Sequence, residues 1–416
     1  MKKMFMLPLL LLTSVVMVML VLTGCVKTPT TVKVGVLTYS LDDAEVGDMI
    51  KYLKNVSKDL DVEVIVSDAA SDNTAAVTET EKLISNGVDA VIGFIDSREI
   101  VDTCSAAKVY YIRAAGIANQ AVYDHAENNK YFLGSIGPDV NSMEEAAGYK
   151  MTKYFLEHGV KKLLISTGLL FQASQMHTAR YKGVVKALEE WGFTHEKGAN
   201  YNWTTTGSFS HPDPSYQVVA VDAMMLEEYP EIYMMWLTAL LSVEFEQVIA
   251  LTSGYEILSQ TLEPLLAYPN PIHNVPGRVK VATFSSFNEV YAYAFTTPAL
   301  TNHAEYGTTD PLMNYLVGKF TSSIGGALVA CINAVNGNGD SFRENGKAFK
   351  FYQDYWYAET PEQFVAMYGA DTLESPAYTA QTLQSYIYSK DNKVTYQQFQ
   401  DFVANASYEQ ILALKK

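Results

Sequence analysis

Short β-branched apolar runs alternate in this chain with stretches of helical spacing, and that alternation restricts the fold more than any other feature. Val32-Lys33-Val34-Gly35-Val36-Leu37 is the first run and stops at Thr38-Tyr39-Ser40. Met49, Ile50, Leu53, Val56 and Leu60 then fall on one side of a helix. Residues 62–66 form a second strand closed by Ser67-Asp68, and the helix over 74–86 stops at Gly87. Further strands are expected at 89–95, 109–112 and 131–136. Strands joined through intervening helices by short loops mean right-handed βαβ units and a parallel sheet. Near-continuous apolar strands mean that helices cover both faces.

After Gly137-Pro138-Asp139 the alternation restarts. The spacing predicts helices near 143–157, 175–191, 216–229 and 241–262, with strands near 161–166, 199–204, 231–237 and 279–284. Residues 309–336 read as one long apolar helix, 349–357 as an aromatic extended segment, and 358–416 as short helices. The expected fold is α/β, with two doubly wound parallel-sheet lobes joined by a three-segment hinge near 137–140, 298–306 and 346–356. Residues 32–138 plus 304–346 would form the N-terminal lobe, and 139–303 plus 347–416 the C-terminal lobe with its helical tail.

Lys2 and Lys3 precede an apolar run from Met4 to Leu22, the pattern of a secretory signal. The run is nearly long enough to span a bilayer, so a retained anchor helix is the alternative. Leu22-Thr23-Gly24-Cys25 resembles the bacterial lipobox, which implies a signal peptide over 1–24, lipidation of Cys25 and a polar tether over 25–31. Either way the lysines stay inside, and the remainder faces the extracytoplasmic side of the cell membrane.

Acidic residues outnumber basic ones 46 to 30, for a net charge of −16. A nucleic-acid binder needs basic surface to displace counterions from phosphates, so that class is excluded. Apolar residues at 48% and charged residues at 18% exclude a disordered chain. The three cysteines, Cys25, Cys104 and Cys331, form no CxxC pair. Cys104 and Cys331 read as small buried apolar residues, with a disulfide between them as the alternative. The seven histidines show no metal-ligand spacing, and no GxSxG, P-loop, HExxH or GxGxxG motif opens a helix. The expectation is a non-enzyme that needs neither cofactor nor metal.

Ligands of open α/β sheets gather beyond the carboxyl ends of the strands. The polar residues there are Tyr39, Ser40, Asp42 and Asp43, then Asp68 and Asp72, then Asp96, Arg113 and Asp139. Carboxylates accept from vicinal hydroxyls, a guanidinium donates in a planar fork, and aromatic faces cover a sugar ring, so the mixture suits a polyhydroxy solute. Helix capping is the competing role for Asp68, Asp72, Asp96 and Asp139.

In series, several stretches resemble the type I periplasmic binding proteins of the ribose- and galactose-binding kind. They are Val32 to Ser40, Ser85-Asn86-Gly87-Val88-Asp89-Ala90-Val91-Ile92, Ile95-Asp96-Ser97, Asp139 with Ala147-Gly148, and Thr178-Ala179-Arg180-Tyr181-Lys182-Gly183. The resemblance implies a lipid-anchored, monomeric solute-binding protein that closes on a sugar or sugar-like solute and delivers it to an ABC permease. Tyr39, Asp42, Asp96 and Arg113 would hold the solute from one lobe, Asp139 from the crossing, and Arg180 and Trp236 from the other lobe. For Trp236 the alternative is core packing, and for Arg180 an exposed helix position paired to an acid. The chain departs from the family pattern where Leu237-Thr238 and Ser285-Ser286 replace acidic or amide residues. A nucleoside-binding lipoprotein of the same fold, a sensor for a membrane receptor and a surface hydrolase remain alternatives.

Overall fold

The computed structural model describes residues 31–415 except 70–71, 170–174, 198–202, 204–205, 224–228, 253, 258–278, 297–312, 390–391 and 405. The signal peptide, Cys25 and most of the tether lie outside the described residues, as do the expected crossing at 298–306 and most of the expected strand at 199–204.

The first half follows the expected alternation: β1 (Val32–Thr38), α1 (Ala44–Asp59), β2 (Val62–Asp68), α2 (Asn73–Ser85), β3 (Ala90–Gly93), α3 (Arg98–Ala106), β4 (Tyr110–Arg113), α4 (Gln120–Ala126) and β5 (Phe132–Gly137). Side-chain caps start most of these helices: Asp43 accepts from the Val46 N–H, Asp72 from Thr74 and Ala75, and Ser97 from Ile100. Val46, Met49, Ile50, Leu53 and Val56 form the buried stripe of α1.

The second half opens with α5 (Ser142–Glu157), β6 (Lys162–Thr167), α6 (Gln175–Trp191) and a small hairpin of β7 (Thr194–Glu196) and β8 (Ser208–Ser210). It continues with β9 (Gln217–Asp222), α7 (Pro230–Ser242), β10 (Gln247–Ala250), the single turn α8 (Gly254–Ile257), β11 (Lys280–Phe287), α9 (Glu289–Thr296) and β12 (Met313–Phe320). A 3-10 turn, Thr321–Ile324, leads to α10 (Gly325–Asn333), β13 (Phe349–Tyr352) and β14 (Trp356–Ala358). The chain ends with α11 (Pro361–Ala370), α12 (Ala380–Gln384), α13 (Tyr396–Ala404) and α14 (Tyr408–Leu414).

Here the structure corrects the reading of the sequence. Strands β9 and β10 stand where helices were expected, and the expected strand at 231–237 is helix α7. Ile232, Trp236 and Leu240 recur every fourth residue along its buried face, but Met234, Met235 and Leu241 are also apolar and exposed. Apolar residues on both faces erase the periodicity that separates a helix from a buried strand. The expected helix over 309–336 is likewise part strand, because β12 is buried on both faces.

Two six-stranded sheets result, in the orders β2-β1-β3-β4-β5-β13 and β9-β6-β10-β11-β12-β14. All their pairings are parallel except β12 with β14. Both sheets reverse winding direction beside their first strand, between β1 and β3 and between β6 and β10, where a crevice opens at the carboxyl ends. Strand β12 belongs to the second sheet and β13 to the first. The second crossing among the described residues is Thr321–Ile324, and β13, expected in the C-terminal lobe, pairs in the first sheet.

One core lies between the first sheet, α1 and α10, and continues to the α7 and α9 face of the second sheet. Two others fill the opposite faces, under α5 and α6 and under α2, α3 and α4. A fully buried Leu, Val or Phe contributes about 1.5–3 kcal/mol. Cys104 and Cys331 are free, buried thiols, and burial pushes Cys104 up to about 12. No helix among the described residues is long and apolar enough to cross a membrane.

Candidate functional site

At the first crevice β1 delivers Tyr39, whose hydroxyl donates to the Asp43 carboxylate at 3.0 Å. Burial, with Asp43 and Glu45 alongside, raises the Tyr39 pKa well above its ordinary value, so the phenol stays a donor. Burial and Glu45 also raise the Asp43 carboxyl. Asp43 rather than Asp42 caps α1, and Asp42 stands exposed beside it. Asp68 accepts from the Leu41 N–H at 3.1 Å and pins that loop, while Asp72 takes the capping role on α2.

Asp96 does not cap α3, because Ser97 does. Its carboxylate accepts from the Asn119 N–H at 3.3 Å and lies 3.5 Å from Arg113 Nε. Arg113 also donates to the Ala114 carbonyl, and its side chain is 14% exposed. The next turn is tight: Ala115 is left-handed (φ 59°), and a Cβ on Gly137 (φ 144°) would stand 2.1 Å from the Gly116 nitrogen. Only glycine lets the end of β5 pass under this turn.

One residue from the second sheet reaches this lip. Lys319, next to last in β12, donates from Nζ to the Ala115 carbonyl at 3.2 Å and pairs with Glu45 at 2.9 Å. Tyr39, Asp43, Glu45, Lys319 and Ala115 thus form one chain of polar contacts next to the Asp96–Arg113 pair. Sequence reasoning missed Glu45 and Lys319. The available signal was a lone lysine in the run Leu316-Val317-Gly318-Lys319-Phe320, since a buried charge needs a partner.

The second lip is built differently. Asp139 accepts from the Asn141 N–H at 2.8 Å and the Ser142 hydroxyl at 3.0 Å, which places it in the turn that starts α5. Arg180 is neither open to the cleft nor exposed on a helix. Its residue is 6% exposed, Nε donates to Glu144 at 2.7 Å, and Nη1 donates to the Leu251 carbonyl at 2.7 Å. Tyr355 donates to the other Glu144 oxygen, and the Phe284 ring centre lies 4.0 Å from the guanidinium carbon. The arginine therefore ties α5, α6, the end of β10 and the third crossing together. Gly183, next in its motif, lets α6 approach α5, because a Cβ there would stand 1.9 Å from the Glu145 carbonyl oxygen. Beside it, burial and Arg180 push His177 down to about 3, so it is neutral.

Trp236 lies on α7 and is fully buried in the core, so the expectation that it ends a strand and stacks on a ligand is corrected. At the second crevice stand Thr167, ending β6, and Thr252, just past β10. Their hydroxyls are buried and make no hydrogen bond among the described residues. Ser286, at the end of β11, accepts from the Asn288 amide at 3.1 Å.

The first crevice offers carboxylate and guanidinium groups, a set suited to holding hydroxyl-bearing molecules, while the hydroxyls at the second are buried. Among the described residues no group of His, Cys, Asp and Glu is placed to hold a metal ion.

No family model and no curated protein matches the chain. Solved structures do. An ABC transporter periplasmic solute-binding protein from Actinobacillus succinogenes with bound D-allose is 16% identical, with 80% of this chain and 99% of that one covered and a TM-score of 0.52. A periplasmic sugar-binding protein from Pseudomonas fluorescens is 13% identical, with coverage of 92% and 100% and a TM-score of 0.54. The transcription regulator CcpA of Lactococcus lactis is 14% identical, with coverage of 80% and 100% and a TM-score of 0.50. These identities speak to fold alone. With two doubly wound sheets joined by crossings of the chain, the protein has the fold of the type I periplasmic binding proteins.

Proposed function

We propose that this protein binds a sugar or sugar-like solute between its two lobes, outside the cytoplasm, and passes it to an ABC permease. The observation that carries this reading is the pairing of the two switch-point crevices. One is lined by Tyr39, Asp43 and the Asp96–Arg113 pair, and beneath the other lie the buried, unbonded hydroxyls of Thr167 and Thr252. Asp42 stands exposed next to the first set. Vicinal hydroxyls on a ring can donate to the carboxylates and accept from the guanidinium in one pose. The net charge of −16 favours a small-molecule role over the DNA binding implied by a regulator of this fold. Residues 1–24 act as signal peptide and Cys25 carries the lipid that holds the protein at the membrane.

A thermal-shift panel of pentoses, hexoses, inositols and nucleosides tests the solute class on the lipid-free chain. A ligand at 100 times its dissociation constant adds about 2.7 kcal/mol. Stabilisation by at least one sugar is the expected result, and stabilisation by nucleosides alone overturns it in favour of the nucleoside reading. For the anchor, Cys25→Ser is expected to abolish fatty-acid labelling and release the protein from the membrane fraction. Labelling that persists in that variant sinks the lipidation reading.

A further inference from the structure

Among the described residues, those beyond β14 pair with neither sheet, yet they bind both lobes and the connection between them. On the second lobe, Phe364 of α11 stacks on Phe295 with ring centres 4.3 Å apart and on Phe287 at 5.3 Å. Trp356 of β14 donates from Nε1 to the Ala406 carbonyl at 2.7 Å. On the first lobe, Tyr52 of α1 donates to the Tyr378 carbonyl at 2.7 Å. Asn333 of α10 donates to the Tyr386 carbonyl at 3.0 Å and accepts from the Tyr388 N–H at 2.6 Å. Phe399 of α13 packs on Phe342 and Phe351, at 4.8 and 5.6 Å.

Between these footholds sits Asp371, 1% exposed. Its carboxylate accepts from the Ser322 N–H at 2.9 Å, the Ser322 hydroxyl at 2.6 Å and the Ala377 N–H at 2.7 Å. Ser322 is in Thr321–Ile324, the second crossing between the lobes. The Tyr378 N–H donates back to the Ser322 hydroxyl at 3.1 Å, and Phe320, just before the crossing, lies between Trp356 and Tyr378 at 4.7 and 5.3 Å. The third crossing is tied to the second as well, through Gln353 donating to the Ser323 carbonyl at 3.3 Å.

A hinge works because a few backbone residues are free to change their dihedral angles. A buried carboxylate holding three donors on a crossing opposes that change, because breaking the set leaves a charge unsolvated. We infer that the described residues of 359–415 form a brace that limits the angle between the lobes, with Asp371 as the positioning residue that clamps the second crossing. On the proposed function, the brace would keep the cleft near its binding geometry, so that less of the solute's binding energy goes into closure. The brace itself does not depend on which solute binds, or on whether one does.

Spin labels at Glu81→Cys, beside the β2 edge, and Met234→Cys, beside the β9 edge, report the lobe angle in the full chain with Cys25→Ser and no solute added. Both labelled positions are exposed, and both edges lie away from β13 and β14. One narrow distance distribution is expected for the parent. Asp371→Ala should broaden it or lengthen it by several ångströms, while Asp371→Asn restores it in part. An unchanged distribution in Asp371→Ala, with only the melting temperature lowered, overturns the brace. If Asp371→Ala does not fold, Ser322→Ala decides: a smaller broadening in the same sense supports the inference, and an unchanged distribution overturns it. Failure of every sugar in the thermal-shift panel would remove the proposed solute class without touching this result.

Discussion

The two lips of the cleft hold the same kinds of charged residue and use them in opposite ways. In the first lobe, Asp96 and Arg113 form a pair 3.5 Å apart with 24% and 14% of their side chains exposed. In the second, Glu144 and Arg180 form a pair 2.7 Å apart with 3% and 8% exposed. The first pair keeps solvent-facing capacity and sits at a strand-end crevice. The second spends its hydrogen bonds on Leu251, Tyr355 and each other, and works as a strut. An arginine in a motif is thus a ligand contact or a structural tie depending on how much of its fork the protein already fills.

The comparison breaks most visibly at Arg180. Arg180→Ala leaves Glu144 buried without its partner and should cost about 3–5 kcal/mol, read from urea denaturation. Arg180→Lys should recover little, because one ammonium cannot bond Glu144 and Leu251 in the planar fork. A loss below about 1 kcal/mol would erase the difference between the lips.

The neighbour of that strut supplies the next effect. His177 is held near 3 in the fold against an ordinary value of 6.5, so below pH 6.5 the unfolded chain binds a proton that the folded chain refuses. Its stabilising contribution is complete above pH 6.5 and is lost progressively as the pH falls toward 3, by about 1.4 kcal/mol per unit at the steepest. His177→Gln should flatten that part of the stability–pH curve. An unchanged slope in the variant would mean that another group titrates.

On the first lip the effects on the fold are smaller. Arg113→Ala should cost within about 1 kcal/mol of stability, as a partly solvated pair does, while removing most of the thermal shift from any stabilising sugar. Equal loss of fold and binding would make Arg113 a second strut. Asp42→Asn, at an exposed position, should stay within about 0.5 kcal/mol in unfolding and reveal itself only in solute affinity.

Much of the fold was legible where the patterns were clean. The five strands of the first sheet up to β5 stand where their apolar runs and glycine stops put them. The second lobe misled at α7 and β12, both apolar on more than one face, so that neither period survived. The strand-end rule led to Tyr39, Asp96 and Arg113, which the fold gathers at one crevice. It could not find Lys319, hidden in an apolar strand, or choose for Asp139 between ligand contact and the competing role at a helix start, where the fold places it. Nor could it tell that Arg180 is sealed and Trp236 is core.

By itself the sequence determined the α/β alternation, the restart after Gly137 and the polar strand ends, because period and stop signals are local properties of the chain. Only the tertiary structure decided which lobe each late strand joins, which charges are shielded, and that Asp371 bonds a crossing far from it in sequence. Those outcomes depend on long-range packing, where a carboxylate's role is set by the donors that the fold brings to it.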